Sequence, residues 1–216
     1  MDPNGRLTEN PGSPLRPFLA AQVTSDINSR YVLGMWQHPT LPIVYATSVV
    51  TNRLAVYTYN SEGQLTFVTD VAVGGANAVT VCWVVVSPDG KYIYTSNAGS
   101  NSISSFDISG TVIPNSSPLS PKLISVTPMV VPAPGGPAPI PGVFNFPTVS
   151  FQIGNDPAGE FLFAVGHELT LNNSYPQGNL VHSLKVQPNG SVTESCAPAQ
   201  IRNIPAGAHP QGVAVL

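Results

Sequence analysis

Groups able to do acid–base chemistry are few in this 216-residue chain: four His, eight Lys or Arg and eleven Asp or Glu. The set that draws attention is His167 and Glu168, adjacent in sequence, with Arg202 and His209 further along. An imidazole relays protons near neutral pH, and a carboxylate acts as a base or orients water. A guanidinium grips a carboxylate or phosphate with two parallel hydrogen bonds. His209 and Glu168 are the candidate catalytic pair, with Arg202 and His167 as candidate substrate-binding groups. Plainer roles stay open for each. His209 precedes Pro210 and could enter a strand bonded to backbone, His167 and Glu168 could be solvated at the head of a loop, and Arg202 could be a surface charge. No His/Cys cluster has metal-ligand spacing and no Gly-rich loop runs into a helix, so neither a metal nor a nucleotide cofactor is expected.

What must position these groups follows from composition. Charged residues make up 9% of the chain, against about 25% in ordinary soluble domains. A net charge of −3 offers no basic field to nucleic acid or to an anionic membrane surface. Helices carry their solvent faces on Glu and Lys, which are scarce here, and 23 Pro and 19 Gly interrupt the chain throughout. The 42% hydrophobic content is enough for a full core. These observations predict one all-β domain over residues 1–216. Cys82, inside the apolar run Val79–Val86, reads as a buried small hydrophobe, and Cys196 carries no mark of reactivity. No signal peptide is visible in this chain, while the Ser/Thr/Asn-rich surface favours an extracytoplasmic setting.

Internal repeats supply the architecture. Pro42–Ser48 followed by Asn52–Tyr59, Lys91–Asn97 followed by Asn101–Ile108, and Glu160–Gly166 followed by Asn179–Val186 superpose as three pairs of alternating segments. Ser87-Pro88-Asp89-Gly90 and Asp156-Pro157-Ala158-Gly159 precede the second and third pairs, where Pro and Gly close a tight turn. His38-Pro39-Thr40 takes that place before the first. One period therefore holds four antiparallel strands, a to d, with a as the inner apolar strand. Four-stranded units recurring at about 40–50 residues read as propeller blades. Tyr45 to Tyr94 fits that period. Tyr94 to Phe163 exceeds it, and the excess falls on the Pro-rich stretch Pro114–Pro141, expected as a surface insertion between blades over 111–146.

The run Ser87–Asn97 followed by Asn101-Ser102-Ile103 resembles a repeat of the lactonase-type β-propellers. That family includes 6-phosphogluconolactonase, carboxymuconate-lactonizing enzymes and the YVTN-repeat surface proteins. Asp2–Thr8 with Pro11–Pro14 resembles the family's outer-strand segment. The resemblance implies an all-β propeller, usually of seven blades, and hydrolysis of a sugar-derived lactone by a His/Glu/Arg set. Glu168 follows its strand much as the family's Glu does. Gln211 stands where the family often has Arg after its His-Pro pair, a departure at the anion-binding position. The repeat also occurs in proteins without catalysis, which keeps a binding or assembly module as the alternative.

Strand counting gives an outer strand near Arg6–Thr8, three blades, and one inner strand at Gly212–Leu216, about three and a half blades. Such a ring is incomplete: either another copy or another chain completes it as a partner, or the sequence is a piece of a longer protein, with a compact four-bladed closure as the lesser alternative. In up-and-down blades the b–c and d–a loops share one face. His167, Glu168, His209 and Arg202 map to it, as do the insertions Pro114–Pro141 and Leu169–Gly178. His38 maps to the opposite face as a turn residue, His182 to strand c as a structural residue, and Trp36 and Trp83 to the core.

Overall fold

The computed structural model describes residues 8–9, 32–110, 120–130, 148–168 and 179–202. Three antiparallel sheets appear in chain order. The first is β1 (Val32–Gln37), β2 (Ile43–Ser48), β3 (Arg53–Tyr59) and β4 (Leu65–Ala72). The second is β5 (Val81–Val86), β6 (Tyr92–Asn97), β7 (Ser102–Asp107) and β8 (Lys122–Pro128). The third is β9 (Thr148–Asn155), β10 (Phe161–Glu168), β11 (Asn179–Val186) and β12 (Val192–Glu194), with β13 (Ala199–Gln200) also paired to β11. Each strand pairs with its sequence neighbour, the up-and-down order of a propeller blade.

The blades stack face to face because alternate residues of each strand are apolar on both sides of the sheet. Ile43, Tyr45, Leu54 and Val56 of the first blade pack with Val84, Val86, Ile93 and Phe106 of the second. The opposite side of the second blade offers Val85, Tyr94 and Ile103 to Ile153, Leu162, Ala164 and Leu184 of the third. The two seams are the core. Turn glycines make them tight: Gly90, at φ 71°, lies under the His38 ring, and Gly159, at φ 74°, lies under Pro88. A further device repeats at the start of each third strand, where a backbone carbonyl accepts an N–H from just past the outer strand. Val73 donates to Asn52, Met129 to Asn101 and Ile201 to Asn179, at 3.1, 2.9 and 2.8 Å.

Several expectations change. The stretch 114–141 is not wholly an insertion, because it contains β8, the outer strand of the second blade. Its residues Lys122-Leu123-Ile124-Ser125-Val126-Thr127 alternate and are Pro-free, so they can fill the ladder beside β7. The links from β7 to β8 and from β8 to β9, at 111–119 and 131–147, lie outside the described residues. Trp36 is not core: it is 46% exposed. It sits on β1, the edge strand of its sheet, where only the neighbouring blade could cover it. Trp83 is half-buried. The expected strands at Arg6–Thr8 and Gly212–Leu216 lie outside the described residues, except Thr8, which is in no strand.

Candidate functional site

Of the candidate residues, His167 and Glu168 were expected just past a strand and are instead its last two members. Neighbours on both sides hold them there: His167 is in register with Val149 of β9 and Asn179 of β11, and Glu168 with Thr148. Beyond β11 the outer strand is interrupted. β12 stops at Glu194, Cys196-Ala197-Pro198 leaves the ladder, and β13 resumes pairing at Ala199. Pro198 has no N–H to donate, which suits that break. Ile201 then donates its N–H to Asn179 at 2.8 Å, and Arg202 follows, exposed. His167, Asn179 and Ile201 thus lie in line across the b–c end of the third blade. Two strand spacings, about 10 Å, separate the first from the last. His209 and Gln211 lie outside the described residues.

The opposite face holds a feature that sequence reasoning missed. Between the a–b turns of the second and third blades lies a cleft of about 660 Å³, with Ser87, Asp89, Lys91 and Tyr92 on one wall and Glu160 and Lys185 on the other. Its cause was legible in the repeat. Ser87 occupies the place that His38 fills in the preceding blade, and a hydroxymethyl leaves open what an imidazole closes. Lys91 Nζ lies 3.1 Å from Asp89 Oδ2. Burial pushes the Asp89 carboxyl up, but the Ser87 hydroxyl and the Lys91 N–H and ammonium together hold it below its usual value. The Tyr92 hydroxyl donates to the Pro188 carbonyl at 3.0 Å and ties the blades across the cleft. Opposite charges offset one another, and neither histidine nor cysteine lines the walls. The cleft therefore lacks a proton-transfer group of neutral pKa.

The remaining histidines hold the structure together. The His38 Nδ1 accepts the N–H groups of Thr40 and Leu41 at 3.2 and 3.1 Å, which leaves the Nε2–H to donate to the Gly90 carbonyl at 3.1 Å. Burial lowers its pKa, and the Gly90 bond acts weakly against that. His182, fully buried in strand β11 as its alternation predicted, meets Glu194 at 2.6 Å through Nδ1. The other Glu194 oxygen accepts the Val130 N–H. Asp89, Asp107 and Asp156 bind local backbone N–H groups in turns, as expected of Asp there. The Cys82 thiol is pushed up to about 12 by burial.

Comparison with known proteins agrees with this architecture. Residues 34–114 match the family described as lactonase, 7-bladed β-propeller. No curated protein matches the chain. Among solved structures, a protein from Bacteroides fragilis named as a candidate 6-phosphogluconolactonase superposes with a TM-score of 0.56 at 15% identity, covering 81% of this chain and 40% of that one. A protein from Lactobacillus plantarum gives 0.56 at 14% identity over 79% and 41%. The periplasmic gluconolactonase of Pseudomonas aeruginosa gives 0.53 at 14% identity over 79% and 41%. At such identities the likeness is one of fold, and this chain spans about two-fifths of the length of each. The family match spans residues 34–114, less than half of the chain, and the three described sheets have the strand order of β-propeller blades.

Proposed function

We propose that the chain contributes to lactone hydrolysis at the b–c end of the third blade. His209 and Glu168 handle the proton and orient water, while Arg202 and His167 bind the substrate's oxygen atoms. The observation that carries this reading is the line His167–Asn179–Ile201, which brings the ends of β10 and β13 to one rim of one sheet. An acid–base pair of this kind contributes about 10²–10⁴-fold to rate. The test is hydrolysis of a panel of sugar-derived lactones, including phosphorylated ones, by the full chain and by Glu168→Gln and Arg202→Ala. The reading expects Glu168→Gln to lose turnover by that factor and Arg202→Ala to raise KM for anionic lactones most. A wild-type chain inert toward the whole panel overturns it.

A second reading, a non-catalytic extracytoplasmic binding or assembly module, is favoured by Gln211 at the family's arginine position and by a ring of only part of the expected blades. In both readings the ring is completed by another copy, by another chain or by further residues of a longer protein. Light scattering tests this: a mass of 22.6 kDa at micromolar concentration overturns completion by a second copy.

A further inference from the structure

The seam between the second and third blades contains polar groups that its apolar cluster does not explain. Tyr94, Ser105 and Ser125 are in register across β6, β7 and β8, so they share one face of the second blade. That face is the one on which Tyr94, Val85 and Ile103 pack against the third blade. Tyr94 and Ser105 are fully buried. The Tyr94 Oη, Ser105 Oγ and Ser125 Oγ are all enclosed, and none has a hydrogen-bond partner among the described residues. From the third blade, His182 stands two residues from Leu184 on β11, on the side that packs against Tyr94. Its Nε2 is likewise enclosed and unpartnered.

The two walls are chemically complementary. Glu194 meets the His182 Nδ1 at 2.6 Å, which leaves Nε2 as the ring atom without a partner. The facing wall presents hydroxyls, each able to donate and accept. A buried hydroxyl without a partner forfeits the hydrogen bonds it makes in water, so a row of them in one seam with an unpartnered ring nitrogen is not stable dry. A water molecule makes about three hydrogen bonds in such a place. It can hydrogen-bond a hydroxyl on one wall and the His182 Nε2 on the other. We propose that this seam is a hydrated site: ordered water seated between the His182 Nε2 and the hydroxyls of Tyr94, Ser105 and Ser125 joins the second blade to the third.

Two experiments on the full chain test this. A crystal structure at high resolution should show water peaks between the blades, hydrogen-bonded to the His182 Nε2 and to at least one of the three hydroxyls. A seam without such peaks overturns the proposal. Thermal unfolding of Tyr94→Phe and Ser105→Ala gives an opposite sign for each alternative. Removing a hydroxyl that binds water lowers the midpoint, by about 2–4 °C, because the water loses a partner. Removing a hydroxyl buried dry raises the midpoint. A rise in both variants, both of which keep the apolar packing, overturns the proposal independently of any crystal.

Discussion

The two seams between blades are built from the same repeat yet are sealed by different means. Between the first and second blades the polar groups close on backbone of the neighbouring blade or the linking segment. Thr47 donates to the Cys82 carbonyl, the Val81 N–H to Asn52, Ser104 to the Val73 carbonyl and Ser102 to the Asn77 carbonyl. At its a–b end His38 fills the space over Gly90. Between the second and third blades the direct bonds among the described residues include Asn155 to the Val86 carbonyl and Thr127 to the Val192 carbonyl. This second seam also carries a buried His–Glu pair, enclosed hydroxyls and a cleft where Ser87 replaces His38. Equivalent apolar faces therefore suffice to stack blades, and the residues between them decide whether a seam is dry and closed or polar and open.

The sharpest contrast comes from removing charge at the second seam. Glu194→Ala leaves the fully buried His182 Nδ1 without its partner, and is expected to cost about 3–5 kcal/mol in urea unfolding, the range for breaking a buried pair. The double variant His182→Leu/Glu194→Met removes both polar partners and is expected near neutral or stabilising, because a buried pair repays little beyond its own desolvation. A mild effect of Glu194→Ala alone would show that the pair does not hold the seam.

The next contrast uses the turn glycines. Gly90→Ala and Gly159→Ala both force an alanine to positive φ, at about 1–2 kcal/mol each. At Gly90 the new methyl would also lie 2.7 Å from the His38 ring, which three hydrogen bonds pin in place. At Gly159 it would meet Pro88 at 3.3 Å. Overpacking adds about 1–3 kcal/mol, so Gly90→Ala should be clearly the worse of the two in denaturant midpoint. Equal losses would mean that the first seam yields as readily as the second.

His38 also gives the first seam a pH dependence. Its pKa is lowered from the usual 6.5, so the unfolded chain binds a proton more readily than the folded one. Stability is then fully present above about pH 6.5 and declines as pH falls below it toward the lowered value. The physical reason is local: a proton on Nδ1 would expel the Thr40 and Leu41 N–H groups. Unfolding midpoints of the chain and of His38→Gln between pH 7.5 and 5 should converge as the pH falls. Parallel curves would remove His38 from the acid response.

Much of this was legible because propeller strands advertise themselves. The period-2 alternation of Leu54-Ala55-Val56-Tyr57 and its counterparts, with Pro-Asp-Gly or Pro-Ala-Gly turns, fixes strand, turn and repeat together. β8 was hidden because prolines on both sides of Lys122–Thr127 outweighed six alternating residues. Trp36 misled because an inner strand reads as core even where it is the edge of its sheet. The candidate site was legible only as a shared rim: register carries the ends of β10 and β13 together, whereas His209 depends on a segment outside the described residues. The cleft and the hydrated seam escaped because they arise from pairs of residues far apart in sequence, such as Tyr94 and His182, which no local pattern links.

The smallest expected effect separates the closed seam from the interrupted outer strand by thiol reactivity. Cys82 lies on β5 with its thiol directed at the Thr80 carbonyl, 3.4 Å away, and burial pushes it up to about 12. At pH 8 such a thiol holds on the order of one thiolate in ten thousand, behind a seam that must open before a reagent can enter. Cys196 is exposed in the break between β12 and β13. Iodoacetamide at pH 8 should therefore add one label per folded chain, at Cys196, and a second only in denaturant, with the thermal midpoint unchanged after the first. Peptide mapping of the labelled chain assigns the site. Labelling of Cys82 in the folded chain at a rate near that of Cys196 would mean that the first seam opens freely, and would reverse the contrast between the seams.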